Sequence, residues 1–207
     1  MTNKRRLVVI GAVAAGTSAV AKAKRVKSDI EAILLERDEH ISYGACGLPY
    51  FIAGTVPRIE DLIARTPAEF AAQRIEVRTR HEVLEVDGSN RTLRVGNREA
   101  GKEFALPYDD LVIATGATSF RPPVPGLELG GVHSLRTLTD GIALRQAVTD
   151  GHVKNVVIVG GGYIGLEMAE AFRARQLPVT IVEMASQLMV NLLRPSISLL
   201  GHLAISL

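Results

Sequence analysis

The stretch Gly160-Gly161-Gly162-Tyr163-Ile164-Gly165 decides the fold, because it has the spacing G-x-G-x-x-G and follows the apolar run 156–159 directly. A second apolar run at 179–182 ends at Glu183, eighteen residues beyond the last glycine. Short β-branched runs on either side of a glycine turn and an apolar, breaker-free segment predict strand, tight turn, helix and strand. The region therefore predicts one βαβ unit.

Each residue type in this turn has a physical reason. Gly160 is predicted to make the tight turn, Gly162 to let the backbone approach a pyrophosphate, and Gly165 to let the helix lie close to the strand. The helix N-terminus then faces the phosphates. Glu183 is expected to accept hydrogen bonds from an adenosine ribose, and its charge repels a 2'-phosphate, so the turn favours NADH over NADPH.

An upstream turn repeats the pattern as Gly11-Ala12-Val13-Ala14-Ala15-Gly16, after the strand predicted at 7–10. Glu36 stands twenty residues beyond its last glycine, at the end of a second predicted strand. Val13 replaces the middle glycine, so this turn alone is also compatible with an ordinary βα loop. Two such units in one chain make coincidence much less probable, and they indicate two dinucleotides, a flavin and a nicotinamide.

Between the two units the periodicity changes. Residues 75–106 alternate with period two around the turn at 87–90, which predicts an antiparallel β-meander inserted into an α/β domain. Thr66 and Pro67 predict a helix start, and 138–148 predicts a helix. Pro122, Pro123, Pro125 and Gly126 predict a linker.

The predicted fold is α/β, Rossmann-like and three-layered, with two dinucleotide-binding βαβ units. We expect an FAD-binding domain at 1–120, a linker and helix at 121–150, and an incomplete NADH-binding domain at 151–207. From Met184 onward Arg194 is the only formally charged residue, so 185–207 is predicted to be an atypical tail that leaves a two-stranded sheet remnant.

Composition sets further bounds. The chain has 207 residues, a net charge of +2, 47% hydrophobic residues and one cysteine, which favours a packed core and excludes a disulfide framework or a four-cysteine zinc site. Its first 28 residues are basic but lack interleaved aromatics, so an anion site or a solvated helix face is favoured over nucleic-acid binding. A βαβ unit explains the apolar start better than a secretory signal, and no run is long enough for a bilayer, so we expect a cytoplasmic protein.

The single thiol is Cys46, in the turn-rich segment 42–50 just before a predicted helix. A helix N-terminus favours the thiolate form. A lone cysteine is more often an inert core residue, and the pairing of this setting with two nucleotide turns favours a reactive thiol.

These motifs together resemble a known family. The Val13 variant of the first turn, the segments 42–50 and 108–117, and the second turn through Glu170 are similar to single-cysteine pyridine nucleotide-disulfide oxidoreductases. Within them, the sequence resembles coenzyme A-disulfide reductases and NADH-dependent persulfide or sulfur reductases. The resemblance covers residues 5–184.

The resemblance implies site residues. For FAD they are Gly11, Ala14, Ala15, Gly16, Glu36, Arg37, Val83, Ala114, Thr115 and Gly116. For NADH they are Gly160, Gly162, Tyr163, Ile164, Gly165, Glu167 and Glu183, and for coenzyme A they are Ser18, Lys22, Arg25, Ser42 and Arg74. Cys46 is the implied redox centre, which attacks a disulfide or sulfane sulfur before NADH and FAD return it to the thiol state. No metal is implied.

Two alternatives stand beside this hypothesis. NADH oxidases and peroxidases of the same family usually place a histidine where this chain has Ala14, so a disulfide or persulfide substrate is favoured over oxygen or peroxide. The family runs to more than twice this length and forms homodimers through a C-terminal domain that has no counterpart here. The chain is therefore also compatible with a non-catalytic fragment that binds dinucleotide weakly or not at all.

Overall fold

A computed structural model describes residues 4–189 and 204–206 of the chain. The chain divides into two compact units, Met1–Gly44 with Ile63–Phe120, and Ala45–Leu62 with Arg121–Leu207. The strands are β1 Arg6–Ile10, β2 Glu31–Leu35, β3 Ile75–Arg78, β4 His81–Asp87, β5 Thr92–Asn97, β6 Lys102–Pro107, β7 Asp110–Ile113, β8 Val156–Val159, β9 Val179–Val182 and β10 Ala204–Ser206. The α-helices are α1 Ala15–Val26, α2 Leu48–Ala53, α3 Pro67–Ala72, α4 Leu138–Thr149 and α5 Tyr163–Ala174, with 3-10 turns at Ala45–Gly47 and Ile59–Leu62.

The first unit has a parallel sheet in the order β3-β2-β1-β7. Alternate residues of β1 face opposite sides, since side chains of a strand alternate across its sheet. Val9 packs towards a helical layer that includes Val20 of α1 and Phe70 of α3, and Val8 packs towards Leu93 of the antiparallel meander β4-β5-β6. Helices, sheet and meander form three layers, as predicted.

The position of β3 corrects the predicted extent of the meander. The sequence assigns period two from Ile75 onward, but β3 pairs in parallel with β2, and the meander begins at His81. Ile75 is buried in the helical layer beside Phe70. Alternating apolar residues fit an edge strand of either sheet, and only the pairing with β2 distinguishes the two.

The second unit repeats strand, glycine turn, helix and strand. β8 and β9 are parallel, and β10 pairs antiparallel with β9, giving the order β10-β9-β8. The predicted two-stranded remnant is thus corrected to three strands. Ile52 of α2, Met168 and Phe172 of α5, and Ile181 of β9 share one core. The rest of the predicted tail beyond Met189 lies outside the described residues.

The predicted helix starts are confirmed. Thr66 and Glu69 form a capping box at α3, with Thr66 accepting from the Glu69 N–H and the Glu69 carboxylate accepting from the Thr66 N–H. α4 begins with the same arrangement between Thr137 and Asp140. The boundaries given above for the cofactor domains remain predictions, and the segment Ala45–Leu62 groups with the second unit. Among the described helices, none has the length and apolar character needed to cross a membrane.

Candidate functional site

The first glycine turn leaves the end of β1, where the carboxyl ends of β2 and β7 also lie. Gly11 has φ +96°, a conformation that L-residues rarely adopt, and its N–H donates to Leu35 O at 2.8 Å. A Cβ on Gly11 would lie 2.3 Å from Ala114 O, just beyond β7. Strand β7 can therefore approach this turn only because residue 11 is glycine.

Gly16 controls how closely α1 approaches the turn. A Cβ at this position would lie 1.8 Å from Gly11 O, a separation that no real contact shows. The glycine thus lets the first turn of α1 lie directly against the end of β1, as the sequence predicts.

Glu36 closes the first turn from the end of β2. Its carboxylate accepts hydrogen bonds from the Ala12 N–H at 2.8 Å and from the Asp38 N–H at 3.1 Å, and the residue is only 8% exposed. The sequence patterns did not single out Ala12, whose backbone N–H donates to this acid. Its signal is its place directly after the first glycine, where the backbone N–H points towards the distal acid.

The second turn has the same construction. Gly160 has φ +108° and donates to Val182 O at 2.8 Å, and a Cβ on Gly165 would lie 2.1 Å from Gly160 O. Glu183 accepts from the Gly161 N–H at 2.6 Å and from the Ala185 N–H at 2.8 Å. The predicted acid therefore reaches its turn in both units.

The hydrogen bonds at Glu183 also fix its charge. The Ala185 N–H, followed by that of Gly161, lowers the pKa of the Glu183 carboxyl below its usual value, because these donors stabilise the charged form. Glu183 is therefore a carboxylate at neutral pH. This negative charge stands at the end of β9, where the sequence places an adenosine ribose.

The helices that follow the glycine turns begin differently from α3 and α4, and they share the absence of a side-chain cap with the six-residue α2. α1 and α5 have no side-chain cap and no acidic residue in their first turn, whereas α3 and α4 begin with carboxylate-containing capping boxes. Uncapped N–H groups at a helix N-terminus bind anions. No heavy atom of the described residues lies within 4 Å of a Cβ built on Gly162, so the backbone there has space for a ligand. The residues fit a pyrophosphate group.

The remaining residues implied for FAD lie in the first unit. Val83 is on β4, beside a register shift between Val83 and Glu85, and packs against the meander core. Thr115 and Gly116 follow β7 and are exposed, and Arg37 is exposed next to Glu36. The structure brings Ala114 to Gly11, and it places Val83 in the separate meander layer.

The residues implied for coenzyme A are only partly brought together. Ser18, Lys22 and Arg25 are exposed and share one face of α1, since their spacing spans one side of a helix. Ser42 is 6% exposed, has φ +49°, and donates its N–H to Ala12 O at 2.7 Å. Arg74 is exposed near Lys24, whose pKa is lowered first by burial and further by the charges of Lys4 and Arg74.

Cys46 lies in the second unit. It is exposed and occupies the middle of the 3-10 turn Ala45–Gly47, directly before α2. A Cβ on Gly47 would lie 2.4 Å from Leu62 Cδ2, so the turn packs tightly on the Ile59–Leu62 turn. The same unit holds Tyr163, Ile164 and Glu167, all exposed in the first two turns of α5.

Two βαβ units with glycine turns, distal glutamates and uncapped helix N-termini define a dinucleotide-binding α/β protein. The family model "Pyridine nucleotide-disulphide oxidoreductase" matches residues 5–200, and the chain belongs to that family of oxidoreductases.

Three similar proteins illustrate the relationship. The chain is 36% identical to an NADH oxidase of Methanocaldococcus jannaschii, over 93% of this chain and 43% of the relative. It is 34% identical to a coenzyme A disulfide reductase of Staphylococcus haemolyticus, over 86% of this chain and 40% of the relative. An NAD-dependent persulfide reductase from A. fulgidus superposes with a TM-score of 0.88 at 33% identity, over 93% of this chain and 36% of that one. The chain thus spans about two fifths of the curated relatives it matches.

Proposed function

We propose that this chain binds FAD at the first glycine turn and NADH at the second, and that Cys46 reduces coenzyme A disulfide or a related persulfide. The observation that carries the proposal is the shared construction of the two turns: an uncapped helix N-terminus opposite a glutamate that accepts backbone N–H groups. The exposed thiol supplies the nucleophile. The names of the coenzyme A disulfide reductase and the persulfide reductase among its relatives support this substrate class.

The charge of Glu183 supports NADH over NADPH at the second turn. A carboxylate with a lowered pKa repels the extra phosphate of NADPH, whereas it accepts hydrogen bonds from the two hydroxyls of an NADH ribose. Residues 184–189 include no lysine or arginine to balance a 2'-phosphate. Tyr163 and Glu167 are the residues we assign closest to the nicotinamide.

At the first turn we assign the FAD pyrophosphate to the α1 N-terminus and the adenosine ribose to Glu36. The N–H groups of Ala15 and Gly16 are the donors, since no side chain caps the helix there. The other residues assigned to FAD are Gly11, Ala14, Arg37, Val83, Ala114, Thr115 and Gly116.

The chemistry of Cys46 is thiol–disulfide exchange. Its thiolate attacks one sulfur of coenzyme A disulfide, forming a Cys46–coenzyme A mixed disulfide and releasing one coenzyme A thiolate. When bound, NADH and FAD supply the two electrons that return Cys46 to the thiolate and release the second coenzyme A as a thiol. Lys22 and Arg25 are assigned to the phosphates of coenzyme A, with Ser18, Ser42 and Arg74 as further contacts.

The first exchange step can be measured on this chain without any cofactor. Mixing the protein with excess coenzyme A disulfide should release one coenzyme A thiol per Cys46, and Cys46→Ser should release none while it still binds NADH. Lys22→Met should weaken the reaction with coenzyme A disulfide, and Lys27→Met, at the end of the same helix, is the control. Thiol release by Cys46→Ser at the rate of the unaltered chain would overturn the proposal.

The cofactor assignment has its own test. A yellow protein with a flavin absorption band that NADH bleaches supports the enzyme, and a colourless product that binds neither nucleotide supports the non-catalytic fragment instead. NADH should bind more tightly than NADPH, and Glu183→Ala should reduce that preference.

A second candidate function is an NADH oxidase, favoured by the name of the Methanocaldococcus jannaschii relative at 36% identity. Ala14 stands where oxidases and peroxidases of the family usually carry a histidine, which favours the disulfide substrate. Oxygen consumption that exceeds coenzyme A thiol release in the flavin-loaded protein would favour the oxidase. The cytoplasmic location, the homodimer of longer relatives, and the domain boundaries 1–120 and 151–207 are further proposals.

A further inference from the structure

Helix α4 contacts α2, the helix that follows Cys46, at two points. Gly141 and Arg145 are four residues apart on α4, so they share one face of the helix. That face packs against α2, whose first residue, Leu48, is two positions beyond Cys46. All of these residues lie in the second unit.

The first contact lies at the beginning of α2. A Cβ built on Gly141 would lie 2.7 Å from Leu48 Cδ2, and Leu48 is 2% exposed. The close approach of α2 to α4 therefore depends on glycine at 141. Gly141 lies in the first turn of α4, where its N–H donates to Thr137 O at 3.1 Å in a backbone hydrogen bond of the helix.

The second contact lies at the end of α2. The Arg145 guanidinium donates from one nitrogen to Phe51 O at 3.2 Å and to Val56 O at 2.9 Å, and lies 4.2 Å from the centre of the Phe51 ring. A cation at a helix C-terminus stabilises the last carbonyls and the helix dipole. Within the described part of the chain no carboxylate pairs with Arg145, so its charge is directed to this segment.

We propose that Gly141 and Arg145 are positioning residues for Cys46, which fix the thiol by holding the two ends of α2 against α4. The proposal rests on the proposed function of Cys46 as the redox thiol. α2 has only six residues, so a movement at either end displaces the thiol-bearing turn that precedes it. A thiol that must meet a large disulfide in one orientation depends on such placement more than a thiol that meets a small reagent.

The first test follows the motion of the thiol-bearing turn. Cys46 is the single cysteine of the chain, so a nitroxide reagent labels it alone. The electron paramagnetic resonance spectrum of the label should narrow in Arg145→Met, because the turn gains motion. Arg145→Lys should restore the broader spectrum only in part, because an ammonium lacks the planar guanidinium that lies over the Phe51 ring. Arg173→Met is the control, since among the described residues the Arg173 side chain bonds only to Leu177 O, just beyond the end of α5.

Gly141→Ala gives an independent variant that keeps every charge. It should also narrow the spectrum of the nitroxide label, because its Cβ would displace Leu48. Gly130→Ala should leave the spectrum unchanged, because no heavy atom of the described residues lies within 4 Å of a Cβ at Gly130. If Arg145→Met fails to fold, Gly141→Ala and Arg145→Lys decide the test. Spectra of these variants that equal those of the controls would overturn the proposal.

The second test separates positioning from general loss of structure. In Arg145→Met, the single-turnover reaction of Cys46 with coenzyme A disulfide should slow by about tenfold. Alkylation by iodoacetamide, a small reagent with no orientation to satisfy, should change less than about twofold by the same argument. An equal change in both rates would contradict a positioning role. If the unaltered chain does not react with coenzyme A disulfide, the proposed function fails, and the nitroxide spectra still decide the role of Arg145.

Discussion

The two βαβ units of this chain share their turns and differ in what surrounds their strands. Gly11 and Gly160 have φ +96° and +108°, and both distal glutamates accept an N–H from the residue after that glycine. Yet Val8 of β1 is fully buried, whereas Val157, at the same position before its glycine in β8, is 63% exposed. The meander covers this face of β1, and in the described residues no such layer covers β8.

The neighbouring strands differ as well. β1 lies inside its sheet between β2 and β7, while among the described strands β8 is an edge strand that pairs with β9 alone. A Cβ on Gly11 would therefore collide with Ala114 O, whereas a Cβ on Gly160 would have no heavy atom of the described residues within 4 Å. The first glycine of each turn is required for its backbone conformation, but only Gly11 is also required for lack of space. Local geometry is thus set by the turn, and burial is set by the partner elements.

The largest expected difference comes from placing alanine at the first glycine of each turn. Gly11→Ala combines a positive φ with a backbone collision and should destabilise the first unit by about 3 kcal/mol or more. Gly160→Ala carries the conformational cost alone, about 1–2 kcal/mol. Native-state hydrogen exchange of β1 and β8 measures each unit separately. Equal losses would show that the Ala114 contact does not distinguish the two turns.

A smaller difference in stability is expected when the equivalent valines of β1 and β8 are changed to threonine. Val8→Thr places a hydroxyl in the core against Leu93 and should cost the first unit about 1–3 kcal/mol. Val157→Thr changes an exposed position and should stay within about 0.5 kcal/mol. Urea unfolding measures the free energy of unfolding of both variants. Native-state hydrogen exchange of β1 in Val8→Thr and of β8 in Val157→Thr then assigns the loss to the unit that carries the substitution. A comparable loss in Val157→Thr would mean that the outer face of β8 is covered in solution.

The smallest expected effect concerns the pH dependence of the second unit. Hydrogen bonds from Ala185 and Gly161 lower the folded pKa of Glu183 below its ordinary value of 4.5. A lowered folded pKa contributes stability that is present above about pH 5 and is lost as the pH falls through the folded pKa. Glu183→Gln should remove this dependence and about 1 kcal/mol of stability at pH 7, since an amide oxygen replaces only one of the two acceptors.

The comparison needs a control within the same molecule. Exchange in β8 should show the altered pH profile between about pH 3 and 5 in Glu183→Gln, and exchange in β1 should not change. A profile that is identical in the variant and the unaltered chain would show that these hydrogen bonds do not couple to folding.

Individual elements show which parts of the fold could be predicted from the sequence. The sequence predicted the strands at 7–10 and 156–159, the helix start at Thr66 and the meander turn at 87–90, because each depends on residues that are close in the chain. β3 was assigned to the wrong sheet, because strand pairing depends on distant residues. β10 was missed for the same reason, since its pairing with β9 spans more than twenty residues.

The candidate site likewise has features that the sequence predicts and contacts that it does not. The spacing of Gly160, Gly162, Gly165 and Glu183 identified the second turn, and the hydrogen bond from Gly161 follows from that geometry. No pattern in the sequence indicated that Gly141 and Arg145 would contact the segment after Cys46. Those contacts join residues about ninety positions apart, which only packing brings together.

The sequence by itself determined the two glycine turns, the helices that follow them and the positions of the distal acids. Glycine conformation and helix starts depend on neighbours in the chain, and the distal acids stand at the spacing of a recognised motif. Only the tertiary structure decided which strand faces are buried and why a side chain at position 11 would meet a neighbouring strand end while one at position 160 would not. It also decided which helix packs against the helix that follows Cys46. Burial and close contact depend on elements distant in the chain, and one sequence motif can therefore stand in two different surroundings.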